Sequence, residues 1–222
     1  MNGVLLDLDG TLIDSNEAHA RAWLEALADA GIPADYDRVR ERIGEGGDRL
    51  LPQLTGIDPD GALGKRIRER RGEIFRLDFL PKIRALPGAR ALLQLFYDRD
   101  IRMVAVTSGS REDTEALLRQ THLDDILRNL VTGDDVDSTK PAPDAVSAGL
   151  ARLALPPQSV LLLGDTPYDL EAARRAGVRA VAFTCGGWPA AALVGAEAVY
   201  QGPWELLASF DRSPFAEERT AA

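Results

Sequence analysis

Five short apolar runs in this chain are continuous rather than alternating: Val4–Leu8, Met103–Val106, Leu130–Thr132, Val160–Leu163 and Ala180–Phe183. A strand with one wet face alternates apolar and polar residues, whereas a continuous run is covered on both faces. Helical stretches lie between the runs. Ala89–Tyr97 follows Pro87-Gly88, and Ala142–Leu153 follows a loop. Arg111–Gln120 follows Ser110-x-x-Asp113, a capping-box pattern with Asp in place of the usual Glu. Pro167–Ala176 has Thr166 as its N-cap, Pro167 at the first helical position and Gly177 past its end. Strand and helix in alternation predict an open, parallel α/β sheet with helices on both faces.

One segment breaks the alternation. From Ser15 to about Pro81 the patterns are all helical. His19, Ala22, Trp23, Ala26, Leu27 and Ala30 fall on one helix face, and Gly31-Ile32-Pro33 ends that helix. Shorter helices are expected near Tyr36–Ile43 and Asp48–Leu54, then a charged one from about Asp60 to Leu77. The expected organisation is a core of residues 1–14 and 82–222, with a helical insertion over 15–81. The length of 222 residues suits one large domain with such an insertion.

Composition narrows the partners. With 26 Lys+Arg against 35 Asp+Glu, the net charge of −9 disfavours a nucleic acid, whose phosphates such a surface repels. A few local cations or a metal can still hold a small anion in one cleft. Cys185 is the only cysteine, which excludes an internal disulfide and points to a cytoplasmic protein. No apolar run approaches the roughly 18 residues of a membrane span, and Val4-Leu5-Leu6 is broken by Asp7 too early for a secretory signal. The polar stretch from Asp211 to Ala222 reads as a frayed tail.

The chemistry gathers where strands end. The first run closes on Leu6-Asp7-Leu8-Asp9-Gly10-Thr11. Residues two apart on a strand share a side, so Asp7 and Asp9 are expected to project together past the carboxyl edge of the sheet, where open α/β sheets bind ligands. Two adjacent carboxylates call for a shifted pKa or a bridging cation, and a hard, oxygen-bound ion such as Mg²⁺ is the simplest. Taken alone, the pair also suits strand-end residues facing water. Thr107-Ser108-Gly109-Ser110 offers hydroxyls and free N–H groups at a helix start, as a phosphate site or as a plain N-cap cluster. Lys140 before Pro141 is a lysine on extended backbone, a phosphate partner or a solvated charge. Asp165 in Gly164-Asp165-Thr166-Pro167-Tyr168-Asp169 can ligate a metal; Asp169 in the first helical turn either ligates or caps.

Taken together and in this order, the four motifs resemble the haloacid dehalogenase-like hydrolase superfamily: DxDGT at Asp7, Asp9, Gly10 and Thr11, the hydroxyl motif at Thr107, Lys140-Pro141, and GDxxxD at Gly164, Asp165 and Asp169. The resemblance spans residues 4–183, and the stretch Asp169–Gly177 is similar to the phosphoglycolate-phosphatase and beta-phosphoglucomutase branch. It implies a Rossmann-like core with an inserted helical cap. It also implies that Asp7 forms an aspartyl-phosphate and that Asp9 is general acid and then base. Thr107 and Lys140 would hold the phosphoryl group, helped by Gly10, Ser108 and Gly109. Mg²⁺ would lie on Asp7, the Asp9 carbonyl and Asp165, with Asp169 in support. Asp9 favours phosphoryl transfer over dehalogenation, because that branch typically has no acid there.

The insertion holds the specificity candidates His19, Glu45, Gly46, Gly47 and Arg49. His19 lies in a stretch similar to the cap of beta-phosphoglucomutases, or at the edge of an apolar helix face. Arg49 is a grip for a distal anion or a surface residue. Trp23 reads as packing within the insertion. The expected activity is a Mg²⁺-dependent phosphatase of a small phosphorylated metabolite, of the phosphoglycolate or sugar phosphate type, acting as monomer or homodimer. A phosphomutase of the beta-phosphoglucomutase kind is the alternative, favoured by His19 and disfavoured by Thr11. A non-enzymatic phosphoreceiver module is a remote third, since such domains have no helical insertion.

Overall fold

The structure, a computed structural model, describes residues 1–216. Its strands are β1 (Gly3–Leu6), β2 (Arg102–Val106), β3 (Leu130–Val131), β4 (Val160–Gly164), β5 (Arg179–Phe183) and β6 (Ala198–Tyr200). Its α-helices are α1 (Asn16–Asp29), α2 (Tyr36–Arg40), α3 (Gly47–Thr55), α4 (Ala62–Ile74), α5 (Ala89–Asp98), α6 (Arg111–Thr121), α7 (Asp144–Leu153), α8 (Pro167–Arg175) and α9 (Pro203–Ala208). The six strands form one sheet in the order β3-β2-β1-β4-β5-β6, and every pair is parallel.

The continuous apolar runs have the reason expected of them. Val4 and Leu6 of β1 join one buried cluster with Leu92, Leu93 and Phe96 of α5. Leu5 joins a second, with Ala145 and Val146 of α7 and Ala172 of α8. The two side-chain directions of one strand therefore feed two cores, one on each face, as in a Rossmann-like sheet. The chain runs outward from β1 to β2 and β3, then returns to β4 on the other side of β1. That reversal makes β1 and β4 adjacent at the switch point where such sheets bind ligands. Between β1 and β2 the chain forms α1 to α5 and a short π-helical turn, Phe75–Phe79, with no strand.

Three details differ from the sequence reading. β1 stops at Leu6, because the Leu8 carbonyl accepts the N–H groups of Thr11, Leu12 and Ile13 and folds the chain into a tight turn. β6 was not expected; it is a short edge strand whose residues are only partly covered, so its sequence carries no buried-run signal. Residues 211–216 are not frayed. Phe210 and Phe215 are buried and stand 5.9 and 5.0 Å from the Phe96 ring. The rest of the expected tail, 217–222, lies outside the described residues.

Candidate active site

Asp7 is the last rung of the ladder, its N–H donating to the Leu163 carbonyl at 2.9 Å. Asp165 follows the end of β4 directly. Because β1 and β4 are neighbours, the two carboxylates meet. Thr11 Oγ1 sits between them, 2.9 Å from Asp7 Oδ2 and 3.0 Å from Asp165 Oδ1. Asp169 arrives from the first turn of α8. Its Oδ2 accepts from the Thr166 N–H and hydroxyl, completing the capping box, while its Oδ1 accepts from Lys140 Nζ at 2.6 Å. Lys140 Nζ also donates to Asp7 Oδ1, at 2.5 Å. The oxygens of Asp7, Asp165 and Asp169 lie within 4.8 Å of one another.

This cluster is fully buried, so its charges are felt strongly. Burial raises the Asp7 pKa; Lys140 opposes the shift, while Asp169 and Asp9 add to it. Burial also raises Asp165 well above the usual carboxylate range, with Asp7 and Asp169 adding to the shift. Burial by itself would discharge Lys140, but Asp169 and Asp7 outweigh it and its pKa is raised. Three carboxylates thus face one ammonium in a water-poor space. The donor set is all hard oxygen and carries excess negative charge, which fits Mg²⁺.

Asp9, two residues on, is held apart from this cluster. Its Oδ1 accepts from Ser15 Oγ at 2.5 Å and from His19 Nε2 at 2.8 Å. Arg71 of α4 bonds His19 Nδ1. Arginine has no acceptor, so Nδ1 takes that hydrogen bond and Nε2 carries the proton given to Asp9. His19 is fixed further by stacking on Phe75, centroids 4.2 Å apart. Burial would raise the Asp9 pKa, but His19, Ser15 and Arg71 outweigh it and lower it to about 2. Neighbouring acids in the sequence are therefore driven in opposite directions.

The family model of the haloacid dehalogenase-like hydrolases matches residues 4–183, which includes every residue of this constellation. The chain belongs to this family. A validoxylamine A 7'-phosphate phosphatase of Streptomyces hygroscopicus subsp. limoneus is 30% identical over 81% of this chain and 84% of that protein. A phosphoglycolate phosphatase of Nitrosospira multiformis is 32% identical over 80% of each. The crystal structure of a hydrolase from Pseudomonas syringae is 32% identical, with a TM-score of 0.89, over 96% of this chain and 99% of that one. The hydrolase described here falls in the branch of phosphoglycolate phosphatases and beta-phosphoglucomutases. It is an enzyme, and no helix among its described residues is long and apolar enough to cross a membrane.

A cavity of about 770 Å³ opens over Asp7 and Asp9, between the sheet edge and the inserted helices. The structure brings Thr107, Ser108, Gly109, His19, Glu45, Gly46 and Gly47 to its wall, and Trp23 as well. Ser108 Oγ also donates across to the Gly44 carbonyl at 3.0 Å. Five predicted residues do not line it: Lys140, Asp165 and Asp169, which belong to the buried cluster with Asp7, and Arg49 and Gly10. Arg49 turns its Nε to the Thr139 carbonyl, at 3.1 Å, and ties the first turn of α3 to the residue preceding Lys140. Gly10 has its N–H taken by the Ile13 carbonyl at 2.8 Å. Its role is steric: at φ +80, a Cβ there would sit 2.4 Å from Asp165 Oδ2. The Asp9 side chain is likewise no member of the carboxylate cluster.

Three residues of this hydrolase escaped the sequence reading. Asn16 Nδ2 donates to Asp165 Oδ2 and to the Gly186 carbonyl, both at 3.0 Å. Arg71 and Arg76, from the charged stretch after Asp60, meet Asp113 of α6 at 2.7 and 2.8 Å. Asp113 had been paired with Ser110 as a capping box. Ser110 does accept the Asp113 N–H, but the carboxylate is given to the two arginines instead. Nothing local in the sequence marks these contacts, which span 37 and 42 residues.

Proposed function

We propose that the chain is a Mg²⁺-dependent phosphatase of small phosphate monoesters that works through an aspartyl-phosphate on Asp7. One observation carries this reading. Asp7 and Asp9 are two residues apart, yet one lies in the carboxylate–lysine cluster with a raised pKa and the other is held ionised outside it. Paired acids with opposed environments take separate roles in catalysis. The Asp7 carboxylate attacks phosphorus, and the ester oxygen leaves with a proton from Asp9. A phosphate dianion bound beside Asp9 raises its pKa, so Asp9 takes up a proton from solvent as substrate binds and can give it to the leaving oxygen. Asp9 then takes a proton from the water that hydrolyses the aspartyl-phosphate, which completes two easier steps in place of one hard one. Thr107 and Lys140 hold the phosphoryl oxygens. Asp7, Asp165 and the Asp9 carbonyl would hold Mg²⁺, with Asp169 oriented through Lys140. When bound, Mg²⁺ supplies the positive charge that keeps Asp7 ionised and withdraws charge from the phosphoryl group.

Residues 15–81 act as a cap, docked over the site through Ser108, Thr139 and Asp113, that keeps bulk water out until substrate binds. The single cysteine supports a cytoplasmic enzyme and the net charge of −9 argues against a nucleic-acid partner; it acts as a monomer or homodimer on a small phosphorylated metabolite, away from membranes. His19 on Asp9 also favours a second reading, a phosphomutase, in which a hydroxyl of the sugar replaces water in the second step. The test is phosphate release from a panel of phosphorylated metabolites, with Mg²⁺ and with EDTA, on wild type and Asp7→Asn. Release that needs Mg²⁺ and Asp7 supports the phosphatase. Isomerisation of glucose phosphate faster than release moves the assignment to the mutase. Release undiminished in Asp7→Asn refutes both.

A further inference from the structure

Apart from Asp7 and Asp9, nine carboxylates line the cavity against four Lys and Arg side chains. The two least exposed of those cations, Arg71 and Arg76, both pair with Asp113. Its Oδ2 takes Arg71 at 2.7 Å and its Oδ1 takes Arg76 at 2.8 Å, with the residue 3% exposed. The arrangement is rigid. Asp113 sits in the first turn of α6, and its N–H is bonded to Ser110. Arg71 is packed over the rings of Trp23 and Phe75. Arg76 carries Glu112 as a second partner at 3.1 Å. Lys65 and Arg68 are exposed at the mouth, and Arg68 is 3.8 Å from Asp60. Glu45 adds a further carboxylate to the wall, its side chain 3% exposed and 3.6 Å from Arg42.

We propose that this wall selects phosphate monoesters whose leaving group is uncharged or amine-bearing and rejects those with a second anion, and that Asp113 sets the discrimination. The proposal rests on the phosphatase reading and specifies its substrate class. A carboxylate or second phosphate buried in this cavity needs a cation that is neither already paired nor, like Lys65, screened by solvent. Drawing Arg71 or Arg76 to it breaks one of the two ion pairs that hold the buried Asp113. A hydroxyl needs no such exchange, and an ammonium is drawn in by the acidic field. A phosphate ester of glycolate, which keeps a carboxylate, falls in the rejected class.

The test uses two matched pairs with Mg²⁺ and the full chain: phosphoethanolamine against phosphoglycolate, and glycerol phosphate against phosphoglycerate. In wild type, kcat/KM favours the first member of each pair by about tenfold or more, and added salt narrows the gap as charges are screened. Asp113→Asn frees Arg71 and Arg76 and narrows both ratios by about fivefold or more, mainly through KM for the acidic esters. Glu112→Gln, at an exposed position on Arg76, shifts the ratios the same way by less, and serves if Asp113→Asn fails to fold. Preference for phosphoglycolate or phosphoglycerate in wild type overturns the proposal, as do ratios that neither variant moves. Failure of Asp7-dependent release from p-nitrophenyl phosphate overturns the phosphatase reading and the proposal together. Release from that ester with the acidic members preferred overturns the proposal alone.

Discussion

Lys140→Met tests the electrostatic account of the site most directly. The substitution keeps a long side chain in a position that is 1% exposed and removes its charge. Lys140 is the ammonium that Asp7 and Asp169 share, at 2.5 and 2.6 Å. Removing one partner of a buried ion pair costs about 3–5 kcal/mol, because the remaining charge stays buried without compensation. For a chain of this size each kcal/mol moves Tm by about 2–4 °C, so the metal-free variant should melt roughly 6–20 °C lower at pH 8. The pH dependence has a definite sign. Asp7 and Asp165 already have folded pKa values above the unfolded value of 3.8, and losing Lys140 raises Asp7 further. Where the folded pKa exceeds the unfolded one, the folded state binds the extra proton, and stability is gained as pH falls through the folded value. Lys140 itself has a raised folded pKa, so its contribution is complete below 10.5 and is lost only at higher pH. The gap between wild type and variant should therefore be widest near pH 8 and should close toward pH 5. Urea unfolding with EDTA at both pH values measures it. Mg²⁺ should restore more stability to the variant than to wild type, since it meets the same uncompensated charge. A variant as stable as wild type at pH 8 without metal, or a gap constant with pH, refutes the reasoning.

Phe215→Ala should cost about 3–5 kcal/mol, measured by thermal or urea unfolding, because its ring fills the core against Phe96 and Phe210; an effect within about 0.5 kcal/mol, the usual surface value, would return residues 211–216 to a frayed tail. Cys185 lies beside the site with its thiol bonded to the Gly10 carbonyl, and burial pushes its pKa up to about 12. Since the thiolate is the reactive form, iodoacetamide at pH 8 should modify the folded chain far more slowly than the urea-unfolded chain, and equal rates would contradict its placement.

The site was legible in part because its motifs are local and sit at strand ends. Asp7, Asp165 and Lys140 could be placed at one sheet edge from the runs that precede them, and Thr166, Pro167 and Asp169 announce the start of α8 within four residues. Asp9 was read only halfway. Period-two alternation put it beside Asp7, but the turn closed by the Leu8 carbonyl ended β1 first and gave its carboxylate to Ser15 and His19. Arg49 and Arg71 show the limit from the other side. Both are arginines in the insertion, and which one faces the cavity depends on how α3 and α4 dock on the core. Asp113 has a local reading as a capping residue, and two half-buried arginines from elsewhere in the chain overrode it.

What the sequence by itself determined is the set of groups with a covalent or near-neighbour reason to be where they are: continuous apolar runs that demand two covered faces, helix caps, and acids placed at the ends of strands. Only the tertiary structure decided which charges neutralise one another. The strand order brings β4 against β1 and so joins Asp7 to Asp165 across 158 residues of chain. The docking of α4 sets Arg71 on His19 and Asp113. Such pairings are long-range and carry no periodicity, and a buried charge takes whichever partner the packing delivers, because leaving it unpaired costs more than any local preference returns.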